Sequence, residues 1–161
     1  MESRFDLLRN DVGRQLTKRL IGFSQVFEGS QVPKLVRELV SLRVSQINGC
    51  APCVDMHTKE AIAAGETQLR LNLVAVWRET EVFSDVERAA LALAEEGTRL
   101  ADAFTGVSDR TWAEVCRHFD DDQIAVLLGL IAFVNATNRL NVITRTVGGS
   151  YEPGMLAALV H

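Results

Sequence analysis

Apolar residues recur along this chain every three or four positions, the period of a helix face, and nowhere alternate with polar ones over strand length. Leu16, Leu20, Phe23 and Phe27 stand at i, i+4, i+7 and i+11 and predict a helix over 12–27, stopped by Gly29-Ser30. A second helix is expected over 33–48. Pro33 suits its first turn, Leu35, Val36, Leu39, Val40, Val44 and Ile47 give its apolar positions, and Asn48-Gly49 is a left-handed stop. A third begins at Cys50 or Ala51 and reaches Ala64, closed by Gly65. Further helices fit 67–78, 84–99, 108–119 and 121–145. Ser84 and Glu87 form a capping box before one of them, and Ser108 is an N-cap for another. The last helix opens on acids, which suits the positive end of its dipole, and is apolar nearly all round. That pattern fits a buried central helix or a subunit contact. The stretch from Gly148 reads as a loop, with 155–160 either a short turn or a mobile end. No repeat or linker interrupts the pattern, so the expected fold is all-α, one compact helical domain over 1–161.

Length and charge narrow the function. The 161 residues carry 17 Lys+Arg against 21 Asp+Glu, a net charge of −4, so no basic excess recruits nucleic acid or anionic lipid. The longest apolar run, 124–134, has 11 residues, whereas a membrane span needs about 20. The start, Met1-Glu2-Ser3-Arg4-Phe5, lacks an export-signal core. Three cysteines is an odd count for a disulfide-stapled scaffold, and a reduced, cytoplasmic protein is expected.

The chemistry concentrates in Cys50-Ala51-Pro52-Cys53-Val54-Asp55-Met56-His57. Cys50, Cys53 and His57 sit at i, i+3 and i+7, one face of a helix. Cys50 falls at the N-cap and Cys53 in the first turn, where unpaired N–H groups and the dipole stabilise a thiolate. This C-x-x-C spacing lets two sulfurs close a disulfide and reopen it, and His57 can take or relay a proton. Two other readings stand beside this one: the three side chains merely line a helix interface, or they bind zinc. Zinc needs a fourth ligand, and no second C-x-x-C or H-x3-H supplies it. No nucleotide- or flavin-binding glycine loop is present, so no cofactor and no metal is called for.

The run from Glu38 to Ala61, together with Trp77-Arg78-Glu79, Phe83-Ser84, Glu87-Arg88-Ala89-Ala90-Leu91 and Asn135-Ala136-Thr137-Asn138-Arg139-Leu140-Asn141, resembles the alkylhydroperoxidase (AhpD-like) core of the carboxymuconolactone decarboxylase family. The resemblance covers about 30–145, leaving a tail over 148–161. It implies a thiol-dependent peroxidase or disulfide reductase assembled as a homo-oligomer, a trimer or hexamer. Its substrate would be a hydroperoxide and its reductant an external dithiol, lipoyl-bearing or thioredoxin-like. By position, the family's relay glutamate falls on Glu38, its redox pair on Cys50 and Cys53, and its relay histidine on His57. The family's second cysteine attacks and its first resolves. Cys53 also stands one turn from His57 while Cys50 is two turns away, which favours the same division. Pro52 replaces the histidine that precedes the second cysteine in the peroxidase naming the group, which bears on rate.

Glu38 itself lies on a small polar strip with Ser41 and Ser45, the alternative being a solvated surface glutamate. Cys116 is expected at a helix-packing position, and His118 and His161 as structural or exposed residues. Asn135, Asn138 and Asn141 recur every third residue on an apolar helix and should bond across helices or subunits, with lining of the redox pocket as the alternative. The functional rivals are a decarboxylase acting on a small lactone and a non-enzymatic zinc or redox-sensing module.

Overall fold

In a computed structural model, residues 2–102 and 105–155 are described; most of the expected 155–160 turn and His161 lie outside them. The apolar periods fold as helices α1 (Asp11–Glu28), α2 (Lys34–Asn48), α3 (Ala51–Ala63), α4 (Gln68–Leu73), α5 (Asp85–Thr98), α6 (Asp109–His118) and α7 (Asp121–Thr144). Two 3-10 turns, Leu7–Arg9 and Val74–Glu79, complete the order, and the described residues contain no strand. The caps are where the side-chain chemistry puts them. Ser84 and Glu87 exchange both capping-box bonds at the start of α5, and Ser108 caps α6. Asp120 and Gln123 form a second capping box at α7.

One expected helix breaks. The period over 67–78 is uninterrupted, yet α4 stops at Leu73, the chain tightens into a 3-10 turn and Val76 leaves helical angles (φ −125°, ψ 30°). Tertiary bonds explain the break. Arg43 takes the Ala75 carbonyl at 3.2 Å, and Trp77 is buried with its indole N–H donating to Glu95 at 3.1 Å. Local propensity yields to those partners.

The central helix is α2, not α7. One of its faces (Val36, Val40, Val44) enters a core with Leu93, Val115, Leu127 and Ile131. The other (Leu39, Leu42) enters a second core with Leu71, Trp77, Phe83 and Leu91. By contrast, α7 buries one stripe (Ile124, Leu127, Leu130, Ile131, Val134, Asn138) and leaves Leu128, Val142 and Ile143 exposed. Among the described residues it is the one helix long and apolar enough, by length and composition, to cross a membrane. Here its buried stripe packs on α2, with α1 and α5 also against it.

Between the two cores runs an ion pair. Arg43 donates to Glu95 at 2.6 and 3.0 Å, and Arg78 approaches the same carboxylate at 3.5 Å. Burial alone would raise the Glu95 pKa, but hydrogen bonds from Arg43 and Trp77 and the two positive charges outweigh it and lower the value below 4.5. At the opposite edge, α1 reaches the bundle chiefly through Phe23 and Phe27, whose rings meet Phe133 at centroid distances of 5.6 and 5.9 Å. A large cavity lies between α1 and the rest.

Candidate redox site

Gly49 ends α2 in the left-handed conformation (φ 66°), which a side chain would disfavour. The chain then turns at once: the Cys50 N–H bonds the Ser45 carbonyl at 3.0 Å, and Cys50 is the N-cap of α3. Pro52 occupies the first turn, where no N–H is needed. Three residues on, Cys53 is joined to Cys50 by a disulfide, with Cα atoms 5.4 Å apart. The two sulfurs differ in access: Cys50 is wholly buried and lines no described cavity, whereas Cys53, 4% exposed, opens onto the cavity beside α1.

One turn beyond, the His57 Nδ1 lies 2.8 Å from the Glu38 Oε2, both side chains being mostly buried. Glu38 is therefore no solvated surface residue. It crosses from α2 to α3 and holds the imidazole ring, leaving Nε2 as the nitrogen free to exchange a proton. Cys53, His57, Glu38, Met56 and Ser41 line one side of a cavity of about 1370 Å³. Apolar side chains, among them Ile21, Phe27, Phe133 and Leu140, form much of the rest. All four residues singled out in the sequence are brought together.

The α7 asparagines divide their tasks. Asn48 donates to both Asn135 and Asn138 at 3.0 Å, Asn138 donates to Ser45 at 3.2 Å, and Asn135 to Thr98 at 3.1 Å. These bonds cross helices, as expected, and hold α7 to the turn that presents the cysteines. Asn141 does something else: its Nδ2 donates to the Cys53 sulfur at 3.3 Å, and it lines the redox pocket. The three-residue spacing contained that signal, but only the crossing of α7 over α3 shows which amide meets the sulfur.

Cys116 departs from expectation. It is exposed and free, because Val115 takes the buried position of α6. His118 stands 3.9 Å from Glu114, away from the sulfurs. Among the described residues no group of three His, Cys, Asp or Glu side chains is placed to hold a metal.

Residues 18–96 match the sequence pattern of the carboxymuconolactone decarboxylase family. The uncharacterized protein YdfG of Bacillus subtilis is 35% identical over 125 residues, 78% of this chain and 84% of its own length. The chain is an AhpD-like member of the carboxymuconolactone decarboxylase family. Its fold has a solved counterpart in this group, a protein of unknown function from Agrobacterium tumefaciens whose suggested role is antioxidant defence of the AhpD kind. That structure superposes with a TM-score of 0.86 at 31% identity, covering 93% of this chain and 100% of the other. The alkyl hydroperoxide reductase AhpD of Rhodopseudomonas palustris is 39% identical over 69 residues, which span 40% of this chain and 38% of that protein.

Proposed function

We propose that this AhpD-like protein is a thiol-dependent peroxidase, working as one domain in the cytoplasm and assembled as a homo-oligomer. The observation that carries the reading is the shared wall: Cys53, half of a redox pair, faces the cavity occupied by the bonded His57–Glu38 couple. In the reduced protein the Cys53 thiolate attacks the hydroperoxide, the O–O bond breaks, and His57 protonates the departing oxygen with Glu38 supporting the ring. Cys53 is left as a sulfenic acid. The Cys50 thiol displaces water from it, closing the disulfide, and an external dithiol returns two electrons. The sum is one hydroperoxide and one dithiol consumed for one alcohol, one water and two disulfide-linked sulfurs.

The alkyl hydroperoxide reductase relationship supports the peroxide as substrate, and the need for re-reduction suits a reducing compartment. The test is a mass spectrum of the reduced protein before and after one equivalent of organic hydroperoxide. The peptide holding Cys50 and Cys53 should lose about 2 Da as the disulfide closes. A decarboxylase of small lactones would instead leave that peptide unchanged and keep its activity when both cysteines are serine.

A further inference from the structure

After α7 the chain returns across the start of α3 as a strap, and the peroxide chemistry has no use for it. Gly148 is seated so closely that a Cβ there would fall 2.7 Å from the Ala51 carbonyl. The Asp55 carboxylate accepts the N–H groups of Gly149 and Tyr151 at 2.7 and 3.1 Å, and Lys59 donates to the Tyr151 carbonyl at 2.7 Å. Farther along, the Tyr151 hydroxyl and the Gly154 N–H both donate to Glu60 at 2.7 Å. The Lys59 hydrogen bond, together with the two backbone N–H groups, keeps the Asp55 carboxyl below its ordinary range despite some burial. The strap is thus held by carboxylates that remain charged near neutrality.

Beneath it lies a second cavity of about 300 Å³, walled by Pro52, Met56, Val147, Tyr151 and Met155 and reaching Cys53. Cys53 borders both cavities, Cys50 neither, and His57 and Glu38 only the larger one. Thiol–disulfide exchange depends on which sulfur the attacking thiolate can reach, and here that sulfur is Cys53. Reduction also makes a different demand from peroxide cleavage. It releases the Cys50 sulfur as a thiolate at a helix N-terminus, where the dipole stabilises it without a nearby base.

We infer that the strap cavity is the docking site of the reductant, a slender uncharged aliphatic dithiol, so that peroxide and reductant approach Cys53 from separate cavities. The inference rests on the reading of Cys50–Cys53 as the working redox pair. A thiolate of the dithiol attacks the Cys53 sulfur, the Cys50–Cys53 bond breaks, and Cys50 leaves as a thiolate. The reductant's second thiolate then attacks its own bound sulfur, closing a cyclic disulfide and freeing Cys53. Two electrons pass to the protein, and the protons lost by the dithiol balance those regained by the cysteines. The size and apolar walls of the cavity favour such a molecule, and the anionic Asp55 at its edge, although paired with Lys59, disfavours an anionic thiol.

The experiment starts from the oxidised full chain and follows reduction by dithiothreitol with acid quench and mass spectrometry, so no peroxidase activity is required. Ser150 and Val147 both line this cavity from exposed positions, so Ser150→Trp and Val147→Trp each fill it, and a thermal melt checks that each variant folds. Reduction should slow by about tenfold or more in both, while single-turnover oxidation by peroxide stays within about twofold of the parent. Gly148→Val, which unseats the strap, should act oppositely and speed reduction by the bulkier, anionic glutathione. Parental reduction rates in the folded tryptophan variants overturn the inference, as does an equal slowing of oxidation and reduction. A protein that exchanges thiols as expected yet ignores peroxide would retain the strap site and lose the peroxidase reading.

Discussion

Two sulfurs three residues apart share a helix turn without sharing an environment. Cys50 is sealed beneath the turn that ends α2, while Cys53 has the Asn141 amide beside it and the His57 ring one turn on. Access to the cavity and the proposed base therefore coincide at Cys53. In Cys50→Ser, a carbon nucleophile that traps sulfenic acid should mark Cys53 after one equivalent of peroxide; in Cys53→Ser, Cys50 should stay unmarked. The opposite labelling would reverse the assignment. On the proposed mechanism Glu38 acts through the ring it holds at 2.8 Å, so Glu38→Gln should lower peroxide turnover by about 10- to 100-fold with an unchanged melting temperature. Full turnover in that variant would reduce Glu38 to a packing residue. The cysteines and His57 were legible because helix spacing alone puts them on one face. Glu38 was legible through the family resemblance more than through its own pattern, since a glutamate on a small polar strip can also be solvated. The position of Asn141 was beyond the sequence for a similar reason: period ranks three asparagines alike, and only the crossing of two helices separates them.

At the scale of elements, caps and stops were legible and long-range partners were not. Gly49, Ser84 and Ser108 act within four residues of themselves, so their signals survive in the sequence. The break before Trp77 depends on Arg43 and Glu95, 34 residues and 18 residues away in the chain, and no local period reports it. The centrality of α2 was hidden likewise, because it presents two ordinary apolar stripes where α7 presents one long apolar run. The Glu95 network has a pH signature. Its folded pKa is lowered, so its stabilisation is complete above the ordinary glutamate range near 4.5 and is lost as pH falls through the lower folded value. The loss of melting temperature between neutral pH and pH about 3.5 should therefore be smaller in Glu95→Gln than in the parent. At neutral pH that variant should already be less stable, on the order of 3 kcal/mol, because Arg43 is left buried without its counter-charge. An unchanged acid slope would mean that other carboxylates dominate.

For the whole molecule, the telling feature is apolar surface left outside the two cores. Val12, Leu16 and Val26 on α1 are 77%, 41% and 63% exposed, and Leu128, Val142 and Ile143 on α7 are exposed as well. Scattered apolar side chains on a surface are ordinary, but two helices in contact that both present them fit a surface covered by another copy. Light scattering at micromolar concentration should give a mass of three or six chains. A monomer there would leave these residues without a structural reason.

Cys116 adds a matter of parity. With one thiol outside the pair, exposed on α6, the chain holds an odd number of sulfurs able to pair, and internal oxidation always leaves one over. Thiol titration of the denatured protein should count three groups after full reduction and one after closure of the pair, which makes the count itself a gauge of redox state. Under prolonged aeration the remaining thiol can find a partner only on another molecule. A non-reducing gel should then show covalent dimers that vanish in Cys116→Ser, while the Cys50–Cys53 bond forms in both. Persistence of the dimers in that variant would mean that a sulfur of the pair is reaching across molecules instead.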